Sequence, residues 1–229
     1  MGSEPFHSYT PSAGHGLAHD PFYAIVGPRP IGWISSLDEQ GRSNLAPYSF
    51  FNAFCFKPPI IGFASSGWKD TVANIKATGE FVWNLVTLPL AEPMNISSAA
   101  VPHEISEFDL AHLERLPSEM VRPPRVAASP VHFECRLTQI LQLQGIEGVL
   151  LENWMVFGEV VRVHIRADLV ADGIYRTARA QPVLRAGGRS EYASIAPEAM
   201  FDMARPTGDE DLARLIEAAV GPARDISST

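Results

Sequence analysis

The sequence contains no apolar run approaching the roughly 20 residues needed to span a bilayer. Basic residues are outnumbered, because 18 Lys and Arg stand against 26 Asp and Glu, for a net charge of -8 and a pI near 5.3. This balance argues against general affinity for nucleic acid or for an anionic membrane surface. We therefore expect neither nucleic acid nor a membrane as a partner.

Cysteine is scarce, which excludes a disulfide-dense scaffold. The two cysteines, Cys55 and Cys135, stand beside phenylalanines, and this setting predicts buried free thiols. The first residues lack the basic start and apolar stretch of a signal peptide. A cytoplasmic location is the expectation.

Two common catalytic patterns are also missing. No Gly-x-Gly-x-x-Gly unit links a strand to a helix, so no Rossmann pocket for a dinucleotide is predicted. No Gly-x-Ser-x-Gly elbow supports a serine hydrolase.

The 229 residues, 46% of them hydrophobic, suit one generous domain with a real core. We divide the chain into an N-terminal arm over residues 1–20, a main domain over 21–200 and a C-terminal extension over 201–229. The arm is rich in Gly, Pro, Ser and His, and the tail has no recognisable pattern.

The periodicity predicts many strands and few helices. Helices are expected over 71–77, with Asp70 as N-cap and Gly79 as the stop, and over 90–99. Residues 101–130 carry several prolines and predict irregular chain. Strands are predicted over 31–37, 42–46, 60–64, 80–86, 131–137 and 154–165, with a turn at 38–41. This composition favours a mainly β protein, a β-barrel with short helices, over a parallel α/β sheet.

A strand end that turns into a helix start is a candidate phosphate site. The free amides and the positive end of the helix dipole favour an anion there. An ordinary helix start with a surface lysine is the alternative. The residues of this predicted site are Ser65, Ser66, Lys69, Asp70 and Thr71.

An aromatic and polar stretch nearby suits a flat ring. An isoalloxazine needs a slot that is polar at one end and apolar at the other. The alternative is a loop packed into the core, although Asn44 and Asn52 would then need buried hydrogen-bond partners. The residues predicted to border the ring are Ser35, Ser36, Asn44, Ala46, Pro47, Tyr48, Ser49, Phe50 and Asn52. A phosphate site beside a ring slot predicts binding of FMN.

Several ordered segments resemble the flavin reductase-like, FMN-binding split β-barrel family, which includes the flavoredoxins. They are PRPIGWIS at 28–35, NLAPYSFFN at 44–52, KDT at 69–71, NLV at 84–86, GEV at 158–160 and RAGG at 185–188. The resemblance implies a split β-barrel and a homodimer with one FMN per subunit. It also implies oxidation of NADH or NADPH by the flavin, whose electrons pass to free flavin, a small acceptor or a partner monooxygenase.

Among the histidines, His164 is the residue we expect to contact flavin or nicotinamide, because it lies on the polar face of its strand. The alternative is an exposed strand histidine beside Arg162 and Arg166. His15 and His19 have helical spacing but no third ligand, so no metal site is predicted. A solvated surface is expected for the histidines and acidic residues of the proline-rich segment, which are His103, His112, Glu104, Glu107 and Glu114.

Two rival functions remain open from the sequence. One is an FMN-binding electron carrier without its own NAD(P)H activity, and the other is a cofactor-free barrel that serves as a binding module.

Overall fold

A computed structural model describes residues 6–220 of the chain. Residues 1–5 of the predicted arm and 221–229 of the predicted extension lie outside this described range. The described residues separate into two compact units, which divide between Pro197 and Glu198. Residues 6–20 belong to the first unit, and the three segments proposed from the sequence stay a prediction.

The first unit is built mainly of strands with four short α-helices, as expected from the sequence. Its strands are β1 (Arg29–Pro30), β2 (Gly32–Leu37), β3 (Ser43–Tyr48), β4 (Phe51–Phe56), β5 (Pro59–Ser66), β6 (Glu80–Asn84), β7 (Arg115–Leu116), β8 (Arg125–Val126), β9 (Val131–Gln144), β10 (Leu150–Ile165), β11 (Val170–Ala171), β12 (Ile174–Tyr175), β13 (Val183–Arg185) and β14 (Tyr192–Ser194). Its helices are α1 (Phe22–Ile25), α2 (Asp70–Thr78), α3 (Ala91–Ile96) and α4 (Glu107–Leu110).

Short 3₁₀ turns and one further helix complete the described residues. The turns are Pro11–Ala13, Leu88–Leu90, Ala167–Leu169, Thr177–Ala180 and Pro197–Ala199. The second unit contains α5 (Asp209–Val220), on which Leu212, Leu215 and Ile216 are exposed. No helix among residues 6–220 has the length and apolar character that crossing a membrane would require.

Seven antiparallel strands form the main sheet, in the order β3-β2-β6-β9-β10-β5-β4. Strands β3 and β4 stand at opposite ends of this order, yet only Ser49 and Phe50 separate them in the chain. The sheet must therefore curl until its two ends meet, which produces a barrel. A hydrogen bond of 2.9 Å from the Ala64 amide to the Phe50 carbonyl extends the pairing of β4 with β5 into this link.

Local chemistry explains the hairpin of β2 and β3. Gly41 adopts a φ of 83°, and the Asp38 carboxylate accepts a hydrogen bond of 2.8 Å from the Arg42 amide. The turn predicted over residues 38–41 is confirmed, and β3 continues two residues beyond the predicted end at Ala46.

Helix α2 extends one residue beyond the predicted range of 71–77 at each end, and the predicted stop at Gly79 is confirmed. Gly79 caps it in the left-handed conformation, which glycine adopts without steric cost. The prediction that Asp70 is the N-cap is wrong, because Asp70 is the first helical residue. Lys69 occupies the N-cap in an extended conformation, and no side chain caps the helix.

Strand β4 was not predicted, since its residues read as an aromatic loop. It forms a sheet edge, and after Phe51 its residues are exposed. The prediction of a buried Cys55 is therefore wrong, whereas Cys135 on the central strand β9 is fully buried. Both thiols are free, as expected.

The barrel interior is filled by aromatic and branched side chains. Phe81 and Phe63 are fully buried and pack edge to face at 6.0 Å. Gly158 lets β10 approach this pair, because a Cβ there would lie 2.3 Å from Cε1 of Phe81. A second cluster surrounds Trp33, whose indole Nε1 donates a hydrogen bond of 2.9 Å to Ser97 Oγ.

Candidate functional site

A cavity of about 560 Å³ opens at the place where the two ends of the sheet meet. Strand β3, the end of β5, the start of α2 and the chain after α3 supply its walls. The lining residues are Asn44, Ala46, Pro47, Tyr48, Ser49, Phe50, Ala64, Ser66, Lys69, Asp70, Thr71, Ser97, Ser98, Ala99, Ala100, Val101 and Glu107. Its size lies within the range of small-molecule sites.

One wall is formed by the end of β3 and the two residues after it, which we call the β3 ribbon. It consists of Ala46, Pro47, Tyr48, Ser49 and Phe50. Arg29 holds the end of this ribbon, because its Nε donates a hydrogen bond of 3.0 Å to the Ser49 carbonyl and its guanidinium lies 5.3 Å from the Phe50 ring centroid. Tyr48 packs on Phe63 with ring centroids 4.4 Å apart. The wall is therefore apolar and fixed in place by packing.

The opposite wall is the start of α2. The first amides of a helix have no partner within the helix, and no side chain caps them here. Ser66 and Lys69 border the same corner of the cavity. The free amides, the helix dipole and the lysine charge together favour an anion.

Polar side chains join the two walls. Thr71 Oγ1 donates a hydrogen bond of 2.6 Å to Asn44 Oδ1, so α2 is tied to β3. Asn44 Nδ2 in turn donates to both carboxylate oxygens of Glu107 at 2.9 Å. Burial raises the pKa of Tyr48 to about 12, and its hydroxyl forms no hydrogen bond of good geometry with any described residue.

His103 fastens the chain that follows the cavity wall at residues 97–101. Its Nδ1 lies 3.1 Å from the Asp70 carboxylate, and its Nε2 lies 3.3 Å from that of Asp38. The hydrogen bond with Asp70 raises the pKa of His103. The solvated surface expected for His103 is confirmed, because the residue is exposed, and it also bridges two acidic side chains. The His103 imidazole thus pairs with the carboxylate of Asp70, the first residue of α2.

Ten of the predicted cofactor-binding residues are brought together at the cavity. They are Asn44, Ala46, Pro47, Tyr48, Ser49, Phe50, Ser66, Lys69, Asp70 and Thr71. Whether they bind FMN stays a prediction.

Four predicted residues do not line the cavity. Ser35 is buried and donates its hydroxyl proton to the Pro124 carbonyl, while Ser36 is buried between Asn44 and Asn74. Ser65 Oγ donates to the Gly67 carbonyl at 2.8 Å and so shapes the turn before α2. Asn52 lies on the exposed edge strand β4 and accepts a hydrogen bond from the Ala53 amide. These polar side chains form hydrogen bonds within the protein. The sequence pattern did not distinguish such internal hydrogen bonds from contacts with a ligand.

His164 also lies outside the residues that line the cavity. Its Nε2 is 2.7 Å from Oε1 of Glu134, a fully buried carboxylate on β9. Glu134 therefore holds the imidazole, and whether His164 contacts flavin or nicotinamide stays a prediction. The exposed alternative is wrong, since only 16% of the His164 side chain is accessible.

Several lining residues were missed. The small residues Ser97, Ser98 and Ala99 were predicted as the end of a helix over 90–99, but α3 stops at Ile96. Glu107 was expected on a solvated surface, yet it is only 9% exposed and reaches the polar floor of the cavity. The signal in the sequence that could have indicated a buried Glu107 is its position directly before the hydrophobic Phe108. Among the described residues, no cluster of His, Cys, Asp or Glu is suited to a metal ion.

A curled antiparallel barrel with an apolar ribbon facing a helix-borne anion site defines a class of small-molecule binding protein. The family of the flavin reductase like domain matches residues 27–183, and the chain belongs to this family. The resemblance inferred from the sequence segments is thereby confirmed.

Three solved structures are similar to this chain. Nitrilotriacetate monooxygenase component B from Bacillus cereus is 28% identical, with a TM-score of 0.77 over 88% of this chain and 100% of that chain. The 2-nitrobenzoate 2-nitroreductase NbaA from Pseudomonas fluorescens is 32% identical, with a TM-score of 0.71 over 81% and 89%. A split barrel domain protein from Shewanella frigidimarina NCIMB 400 is 24% identical, with a TM-score of 0.71 over 80% and 90%. The last likeness bears on the fold alone, and the split-barrel prediction is confirmed.

Proposed function

We propose that this protein is an FMN-dependent oxidoreductase that takes electrons from NADH or NADPH. Membership of the flavin reductase-like family supports an oxidoreductase role. The observation that carries the proposal is the pairing, across one cavity, of the β3 ribbon with the uncapped start of α2. When bound, FMN would supply the hydride and electron chemistry itself.

The residues present fit such a cofactor. The amides of the first turn of α2 and the Lys69 ammonium offer donors to a phosphate. Ala46, Pro47 and Ala64 offer small apolar contacts to a flat ring, while Ser49 and Ser98 offer polar ones. These side chains bind, orient and exclude water, and the proposal assigns no proton transfer to any of them.

Two of the similar proteins support the proposed classes of electron acceptor. The Bacillus cereus structure is a component of a monooxygenase, which supports a partner oxygenase as the consumer of the electrons. The Pseudomonas fluorescens protein is a nitroreductase, which supports a small organic acceptor as the alternative. A homodimer in the cytoplasm completes the proposal, and the exposed Phe54 and Phe56 on β4 offer apolar surface for the second copy.

Anaerobic titration of the FMN-loaded protein with NADH and NADPH is the decisive test. We expect loss of the blue absorbance band at one equivalent of the preferred nicotinamide. A coloured protein that neither nicotinamide bleaches would be an electron carrier instead. Failure to retain FMN after gel filtration would reject both functions.

Lys69→Ala tests the placement of the phosphate. A single exposed charge at a few ångströms is worth about 1 kcal/mol in a water-like dielectric, so FMN affinity should fall roughly fivefold. Lys76→Ala, at the other end of the same helix, is the matched control and should leave affinity unchanged. The Lys69 effect should shrink as salt is added. Equal affinities for the two variants would show that the phosphate lies elsewhere.

A further inference from the structure

We propose that Glu107 is a positioning residue that aligns the start of α2 through Asn44 and Thr71. In this role it sets the preference of the cavity for FMN over riboflavin, which lacks the phosphate. The inference rests on the proposed function and adds to it a residue that acts on ligand selectivity without supplying a phosphate donor.

The first observation is the isolation of the Glu107 carboxylate from any cation. It is 9% exposed, and no Lys, Arg or His among residues 6–220 forms an ion pair with it. Burying an unpaired charge is costly unless hydrogen-bond donors compensate it. Here the donors are Asn44 Nδ2, at 2.9 Å from each oxygen, and the Leu45 amide, at 2.9 Å from Oε2. All the hydrogen bonds that residues 6–220 donate to this buried carboxylate come from β3, which points to a role in orienting groups on that strand.

The second observation is the direction that this carboxylate imposes. An ionised carboxylate only accepts hydrogen bonds, so the Asn44 side chain must present its amide nitrogen to Glu107. Its oxygen Oδ1 then has to face α2. Thr71 Oγ1, at 2.6 Å from that oxygen, must therefore act as the donor. Glu107 thus fixes a chain of three groups in one orientation.

The third observation is where the chain of hydrogen bonds ends. Thr71 is the second residue of α2, in the turn whose amides have no partner. Because its hydroxyl proton is given to Asn44, the hydroxyl does not serve as a phosphate donor. The amides, Ser66 and Lys69 remain for that role. Their direction depends on how Thr71 anchors the helix to β3.

Glutamine at position 107 would test this directional constraint with little change in volume. Its amide group would present donors to Asn44 Nδ2 or to the Leu45 amide, and at least one of these contacts would become a clash of donors. Asn44 could then reverse its amide and release Thr71. A shift of the start of α2 should weaken its contacts with the phosphate of FMN and leave the contacts with the flavin ring unchanged.

The experiment compares the dissociation constants of FMN and riboflavin for the full chain by fluorescence quenching. We expect the wild type to prefer FMN at least tenfold, and Glu107→Gln to reduce that ratio three- to tenfold with riboflavin affinity changed less than twofold. Glu104→Gln, an exposed neighbour on the same segment, should behave as the wild type.

A second pair of variants guards against misfolding of Glu107→Gln, which far-ultraviolet circular dichroism would detect. Thr71→Val removes the donor and should lower the ratio similarly, whereas Thr71→Ser keeps the hydroxyl and should restore it. An unchanged ratio in folded Glu107→Gln, or in Thr71→Val, would overturn the inference while the proposed function stands. A wild type that binds FMN no better than riboflavin would overturn the inference as well, and one that binds neither would reject the proposed function too.

Discussion

Glu134→Gln is the substitution for which the structure gives the sharpest stability prediction. The Glu134 carboxylate is fully buried on β9 and accepts hydrogen bonds from the amides of Glu119, Met120 and Val121 at 2.9, 2.6 and 3.2 Å. His164 Nε2 contributes a fourth contact at 2.7 Å. This one side chain therefore holds the proline-rich segment on the barrel and also orients His164.

The expected loss follows from counting these contacts. Each carboxylate oxygen makes two of these four contacts, so replacing one oxygen by an amide nitrogen removes the acceptor of two of them, and the charge is lost as well. Each of these hydrogen bonds is worth about 1.5–3 kcal/mol, and disruption of a buried charged group costs about 3–5 kcal/mol after relaxation. With a urea m-value of about 2–3 kcal/mol/M, the unfolding midpoint should fall by about 1–2 M.

The pH dependence supplies a second criterion. Burial alone would raise the pKa of Glu134, but the hydrogen bonds from the Glu119 and Met120 amides and from His164 outweigh it and hold the pKa below 4.5. A depressed carboxyl pKa stabilises the folded state fully above the unfolded value and progressively less as the pH falls through the folded value. The gap in stability between wild type and Glu134→Gln should be constant from pH 6 to 8 and should shrink below pH 4.5.

Urea unfolding followed by tryptophan fluorescence measures both effects. Glu119→Gln is the control, because its half-exposed carboxylate forms surface pairs, with Arg162 at 2.6 Å and with His164 Nδ1 at 3.9 Å, and the substitution should cost less than about 1 kcal/mol. Equal midpoints for Glu134→Gln and wild type at pH 7, or a gap that widens on acidification, would refute the reasoning.

Two further substitutions test the cavity wall and the core. The pKa of His103 is raised by its hydrogen bond with Asp70, so its contribution is complete below about pH 6.5 and is lost as the pH rises through the folded value. FMN release followed by fluorescence should accelerate with rising pH in the wild type and stay flat in His103→Gln; parallel profiles would contradict this. Gly158→Ala places a Cβ 2.3 Å from Phe81 and should cost about 1–3 kcal/mol, seen as a lower Tm in calorimetry. Gly145→Ala, which meets no atom closer than 3.9 Å, should leave Tm within about 1 °C.

Local chemistry accounts for what the sequence predicts well. The turn at residues 38–41 and the stop of α2 at Gly79 depend on neighbours in the chain, and both appear where expected. The predicted helix start with uncapped amides follows from the same local reasoning, whereas the binding of a phosphate there stays a prediction.

Long-range contacts account for what was missed. Strand β4 exists because it pairs with β5, and nothing in its own aromatic pattern distinguishes an edge strand from a loop. Glu107 reaches residues 62 and 63 positions away in the chain. Ser35 and Ser36 have the right chemistry for a ligand, but β2 lies inside the sheet and uses them internally. Partners of this kind cannot be read from a single sequence.

The short link of Ser49 and Phe50 between the two outermost strands has a consequence for folding. Neither outermost strand pairs with the other, so the circumference of the barrel stays incomplete along one line, and the cavity lies on that line. A molecule seated there would contact β3 and the end of β5, which lie on the walls of the cavity. A molecule that binds only the native state stabilises it, so the free energy of unfolding of the barrel should increase with the concentration of that molecule.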